Sequence, residues 1–170
     1  MGFWKCFFYL TALGILSHFV GLLLSHHRFH ADRIPWRPAA FERDGRFWDR
    51  TLHVRRWMNV VPDMSRICPD MVPKRIEGVA NVESIERLIR ETCVAELIHW
   101  ALALLGFFCV SIWNGMGGWT LSLIYGVGNI PFVIIQRYNR PRLVRLHGWL
   151  AAKEQSVAPV VGQETEVSQV

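Results

Sequence analysis

Two short stretches hold most of the residue types that could do chemistry: ETCVAELIHW, with Glu96 and His99, and QRYNRPR, with Gln136, Arg137, Asn139 and Arg140. Glu96 and His99 stand one helical turn apart. In a helix that spacing lets the carboxylate accept a hydrogen bond from one imidazole nitrogen and leaves the other free as a general base, the pairing that activates a hydroxyl. Asn129 lies seven residues before Gln136, on the same helical face and about two turns away. Gln136, Asn139 or Asn129 can then donate hydrogen bonds to a developing oxyanion. Arg137 and Arg140 suit bidentate contacts to phosphate, and Arg55, Arg56 and Trp57 of HVRRW suit docking of a headgroup. A purely structural alternative stands beside each role. Glu96, His99 and Gln136 can lock two helices by hydrogen bonds alone, and the arginines can be membrane anchors, the preferred reading for Arg142 and Arg145.

Those residues must be positioned by membrane helices. The chain has 170 residues, 51% of them hydrophobic, with eight Trp and ten Phe. A bilayer core about 30 Å thick takes about 20 helical residues to cross, and windows at about 3–24, 95–113 and 119–136 meet that need. A cleaved signal peptide is the other reading of the first window, but SHHRFHADR follows it without a small-x-small cleavage site, so it is expected to remain as an anchor. Arg28, Arg33 and Arg37 follow the first window, Arg87 and Arg90 precede the second, and Arg137, Arg140, Arg142 and Arg145 follow the third. The loop NGMGG between the last two has no charge. The positive-inside rule puts that loop and the N-terminus outside, with the segment 25–94 and the C-terminus in the cytoplasm. The net charge of +5 then lies mostly on the inner side, with anionic lipid rather than nucleic acid as its partner.

In the cytoplasmic segment, IPWRP predicts an extended strip, and AFERDGRFWDRTLHVRRW alternates aromatics with charges. That alternation fits either an element lying in the headgroup layer or a small subdomain packed under the membrane. MSRICPDMVPKRIEGVAN, broken by Pro69, Pro73 and Gly78, reads as a linker. From the N-cap Asn81 a single helix is expected to run into the second span, with Ile85, Leu88, Ile89, Thr92, Glu96 and His99 on its packing face. A tight hairpin centred near Met116 sets Glu96 level with Gln136 and His99 with Val133, while Pro131 can kink the helix beside Asn129. The expected architecture is an all-α integral membrane protein of about three transmembrane helices, with a single membrane domain over 1–150 and a disordered tail over 151–170. Cys6, Cys68, Cys93 and Cys109 include no CxxC pair and read as reduced structural thiols.

Other signals are weaker. His27 and Asp32 have an HxxxxD spacing that a chain with seven His shows readily by chance. His26, His27 and His30, with Glu96 and His99, suggest the histidine boxes of membrane desaturases and hydroxylases, which use many more His, so no metal is expected.

Three stretches, FERDGRFWDRTLHVRRW, IERLIRETCVAELIHW and NIPFVIIQRYNRPRL, together resemble the glycosyl-4,4'-diaponeurosporenoate acyltransferase family. The resemblance implies a small multi-pass enzyme of the bacterial cell membrane that esterifies the primary hydroxyl of a glucosyl carotenoid with a fatty acyl group, the last step towards staphyloxanthin. Residue roles stay those read from spacing: His99 oriented by Glu96 as base, the amides on the oxyanion, Arg137 and Arg140 on the donor's phosphates. The expected co-substrate is an acyl thioester, acyl-CoA or acyl carrier protein, and no further cofactor is expected. The acceptor is a glycolipid in the inner leaflet, and three short spans leave room for a homodimer. A noncatalytic membrane scaffold and a metal-dependent lipid oxidase are the competing classes.

Overall fold

The computed structural model describes residues 1–24, 29–42, 44–61 and 81–167, with side chains through 156. The described residues are helical and contain no strand. Helix α1 covers Gly2–Leu23, short helices α2 Arg46–Leu52 and α3 Val54–Trp57 follow, and α4 covers Val82–Leu105. A 3-10 turn at Gly106–Phe108 leads into α5, Cys109–Ile112, and α6 runs from Met116 to Val167. Three segments are long and apolar enough to cross a membrane: Gly2–Leu23, Val82–Ile112 and Met116–Ser156. His26, His27, Arg28, Cys68 and the linker after Val61 lie outside the described residues.

Helix α4 starts where its cap predicts. Asn81 is extended, at φ −96° and ψ 161°, and its side-chain oxygen accepts from the Ser84 amide at 2.8 Å, satisfying one of the orphan donors of the first turn. Its solvated side carries the ion pairs Arg87–Glu91 and Arg90–Glu86, while Ile85, Ile89, Thr92, Cys93 and Glu96 are buried. The expected face assignment therefore holds.

Helices α4 and α6 form the expected hairpin, turning at Trp113–Gly115. Its register is set by a close approach at Gly106, where an added Cβ would stand 2.5 Å from the Tyr125 ring, and by Ser122 Oγ donating to the Gly106 carbonyl at 3.2 Å. Helix α1 lies antiparallel to α4 and parallel to α6. The Tyr9 hydroxyl donates to the Leu105 carbonyl at 2.8 Å, and Phe3 meets Trp113 edge-on with ring centroids 6.4 Å apart. Helix α6 is continuous across Pro131 and Pro141 and carries on through Val167, into the stretch expected to lack regular structure. AAKEQ there is made of strong helix formers, and a helix already nucleated extends at little cost.

The segment after α1 packs on the hairpin rather than lying apart from it. Val54 is buried against Ile135 and Tyr138, with Trp48, Trp57, Met58, Val61 and Ile134 around it. Gly45 makes this docking feasible: its φ is +88°, and a Cβ would stand 3.0 Å from the Tyr138 carbonyl oxygen. The aromatic and charged stretch thus packs on α6 through Val54, Trp48 and Trp57, while Phe41 and Leu52 stay exposed.

Candidate active site

His99 is half-buried on the face of α4 that meets α6. Its Nδ1 is 2.9 Å from Asn129 Oδ1, and its ring stacks on Phe132 with centroids 4.5 Å apart and planes 13° from parallel. The Asn129 amide is oriented from the other side, because its Nδ2 donates to the Tyr125 carbonyl at 2.9 Å. The oxygen of Asn129 therefore faces the imidazole, and an acceptor there requires the proton on Nδ1. Nε2 is left with its lone pair and no hydrogen-bond partner among the described residues. The ring is thus held in plane by Phe132, in tautomer by Asn129, and presents one free basic nitrogen.

Glu96, expected to orient His99, does something else. Its Oε1 accepts from Arg137 Nε at 2.8 Å and its Oε2 from Arg140 at 2.6 Å. Arg137 also donates to Glu42 at 2.9 Å and to the Pro35 carbonyl at 2.9 Å. Arg140, 1% exposed, donates further to Thr92 Oγ1 at 2.9 Å, to the Thr92 carbonyl at 2.9 Å and to the Trp36 carbonyl at 2.8 Å. Trp36 in turn donates to the Cys93 carbonyl at 3.0 Å. Two carboxylates and two guanidiniums balance in charge, and together they strap the strip around Pro35 and Trp36 across the end of the α4–α6 hairpin.

Several expected roles change with this geometry. The orienter of His99 is Asn129 and not Glu96, because two fixed guanidiniums occupy both carboxylate oxygens. Asn129 is committed to His99 and Tyr125, which removes it as the natural oxyanion donor. Arg137 and Arg140 are neutralised by Glu42 and Glu96 and are turned inward, so they offer no free charge to a donor's phosphates. Trp57 packs in the Val54 cluster, with its indole nitrogen donating to the Leu52 carbonyl at 2.8 Å. Gln136 and Asn139 are half-buried and hold no hydrogen bond among the described residues, while Arg55 and Arg56 are exposed. The carboxylate suggested for a metal site, Glu96, is likewise taken by arginines.

The family model for glycosyl-4,4'-diaponeurosporenoate acyltransferase matches residues 26–148. The chain belongs to this family. Curated relatives of that name in Staphylococcus aureus strains MRSA252, N315 and USA300 are each 32% identical over 130 residues, which is 75% of this chain and 76% of the relative. No solved structure matches the chain. The family region takes in the whole strap from Pro35 to Glu42 and both halves of the His99–Asn129 pair, and all three of the resembling stretches fall within it. Helix α1 lies before it.

Residue spacing alone missed Glu42, Thr92, Trp36, Tyr125 and Phe132 as parts of the site. Thr92 was visible on the packing face of α4, and Glu42 was one of three carboxylates, with Asp44 and Asp49, in an arginine-rich run. Phe132 and Tyr125 carried no signal, because an aromatic in an apolar span is ordinarily packing.

Proposed function

We propose that this chain transfers a fatty acyl group from a thioester to a sugar hydroxyl of a membrane glycolipid, glycosyl-4,4'-diaponeurosporenoate or a close analogue. Family membership supports the reaction class and the acceptor. The observation that supports the chemistry is the hydrogen bond from His99 Nδ1 to the Asn129 side-chain oxygen, which holds the imidazole with Nε2 free.

In this reading, Nε2 of His99 takes the sugar hydroxyl proton as the oxygen adds to the thioester carbonyl carbon. The side-chain amide of Gln136, one turn beyond Phe132, meets the oxyanion that forms. The carbon–sulfur bond then breaks, and the imidazolium returns its proton to the departing thiolate, leaving an ester and a free thiol. A positioned base of this kind contributes about a hundredfold to ten-thousandfold, and one oxyanion donor about a hundredfold or more. Arg55 and Arg56, exposed beside the site, take over contact with the donor's phosphates.

The orientation that suits this chemistry keeps the Glu96 end of the hairpin at the cytoplasmic face. Arg33, Arg37, Arg55, Arg56, Arg142 and Arg145 gather at that end, while the Trp113–Gly115 turn has no charge, in keeping with the positive-inside rule. The donor, as acyl-CoA or acyl carrier protein, then approaches from the compartment that holds it.

Lipid mass spectrometry of cells with and without the gene, complemented by wild type or His99→Ala, tests the proposal. A glycolipid that gains one acyl mass only with wild type supports it, provided immunoblots show the variant at normal level in the membrane. Turnover retained by His99→Ala removes His99 from the mechanism. No acylated species in any strain moves this chain to a noncatalytic membrane role.

A further inference from the structure

A groove of about 260 Å³ runs between α1 and α6, lined by Phe3, Phe7, Leu10, Thr11, Leu121 and Tyr125. On α1 these residues fall at helical spacing along one face, and on α6 Leu121 and Tyr125 fall four residues apart. The next step along the α6 row is Asn129, whose amide donates to the Tyr125 carbonyl and whose oxygen holds His99. The next step along the α1 row is Gly14, half-buried, where an added Cβ would meet nothing within 4 Å. The two helices are parallel, so both rows lead from the groove towards the same depth. At the far end Phe3 is backed edge-on by Trp113. From Phe3 to Thr11 the groove spans about 12 Å of helix, and its only side-chain polar groups are two hydroxyls.

We infer that this groove is the binding site for the fatty acyl chain of the thioester donor, with Phe3 and Leu121 setting how long a chain fits. The inference rests on the acyltransferase reading above. The carbon that reacts is the first carbon of the acyl chain, so a channel that begins one helical turn from the His99–Asn129 pair receives that chain directly. The polyene of the acceptor is set back from its reacting hydroxyl by a sugar ring. Apolar walls within the bilayer depth, open to lipid along one side, suit a saturated chain that enters sideways. Gly14 continues the α1 row past Thr11, and a Cβ there would meet nothing within 4 Å.

The test measures acyl-chain length in the glycolipid product for full-length protein in membranes supplied with a mixture of acyl thioesters. Leu121→Trp fills the far end and should shift the most abundant product to a chain about two carbons shorter, since close-packed walls respond to single methylenes. Leu121→Ala should shift it about as far the other way, which guards against a Trp variant that fails to insert. Ile124→Trp, on a side chain 64% exposed and outside the groove, should leave the distribution unchanged. Active Leu121 variants with the wild-type length distribution overturn the inference. A change in which carotenoid glycoside is accepted, with acyl length constant, also overturns it by giving the groove to the acceptor. Absence of any acylated product from wild type sinks the acyltransferase reading itself, a result distinct from either.

Discussion

Replacing Glu96 by Gln tests what the carboxylate does. The residue is 2% exposed and its carboxylate receives charge-assisted bonds of 2.8 and 2.6 Å from two guanidiniums, one of them on a residue 1% exposed. Gln keeps the shape and one carbonyl acceptor but removes the charge, so buried Arg140 and half-buried Arg137 are left with the single carboxylate of Glu42, which pairs with Arg137. Breaking a buried pair in this one-sided way costs about 3–5 kcal/mol, or roughly two to three and a half orders of magnitude in the folding equilibrium at about 1.4 kcal/mol per decade. Arg140→Met alone should cost a similar amount, because Glu96 loses a partner and the Thr92 and Trp36 carbonyls lose a donor. The double variant, with both changes, should cost less than the sum of the two singles, giving a coupling of about 1–3 kcal/mol. Reversible unfolding in mixed detergent micelles measures all four proteins. A Glu96→Gln cost below about 1 kcal/mol, or strict additivity, would refute the view that Glu96 is the electrostatic centre of the strap. His99→Ala separates the two roles in the same assay: it should unfold near wild type while losing ester formation.

Asn129→Ala should lower kcat by about a hundredfold or more, through loss of the imidazole's tautomer and orientation, with little change in KM for the thioester; steady-state kinetics on purified membranes decide it. Gly45→Ala places a Cβ at positive φ and 3.0 Å from the Tyr138 carbonyl oxygen, so it should cost about 1–3 kcal/mol and lower the thermal midpoint. Asn81→Ala removes the 2.8 Å cap on the Ser84 amide and should cost about 1 kcal/mol; hydrogen exchange should rise only in the first turns of α4.

The amino-acid sequence by itself determined the parts of this protein that depend on periodicity and on the bilayer. Apolar runs of the right length, an uncharged turn between two of them and a strong N-cap at Asn81 leave little choice but a membrane hairpin with Glu96 and His99 on its inner face. Glu96 and Gln136 were placed at one depth because helix rise is constant, and their neighbours do meet there. Partner choice among polar groups was decided only by tertiary structure. Glu96 lies within reach of His99 along the helix, yet two arginines from α6 outcompete it, since a buried carboxylate is stabilised far more by guanidinium forks than by a neutral imidazole. That choice frees His99 for Asn129. The strap residues Pro35 and Trp36 join the site from about a hundred positions away by using backbone carbonyls, which every residue has and no sequence pattern reveals, and Glu42 joins through its carboxylate. The groove between α1 and α6 likewise exists only because a third helix docks beside the hairpin at an angle and depth set by side-chain packing.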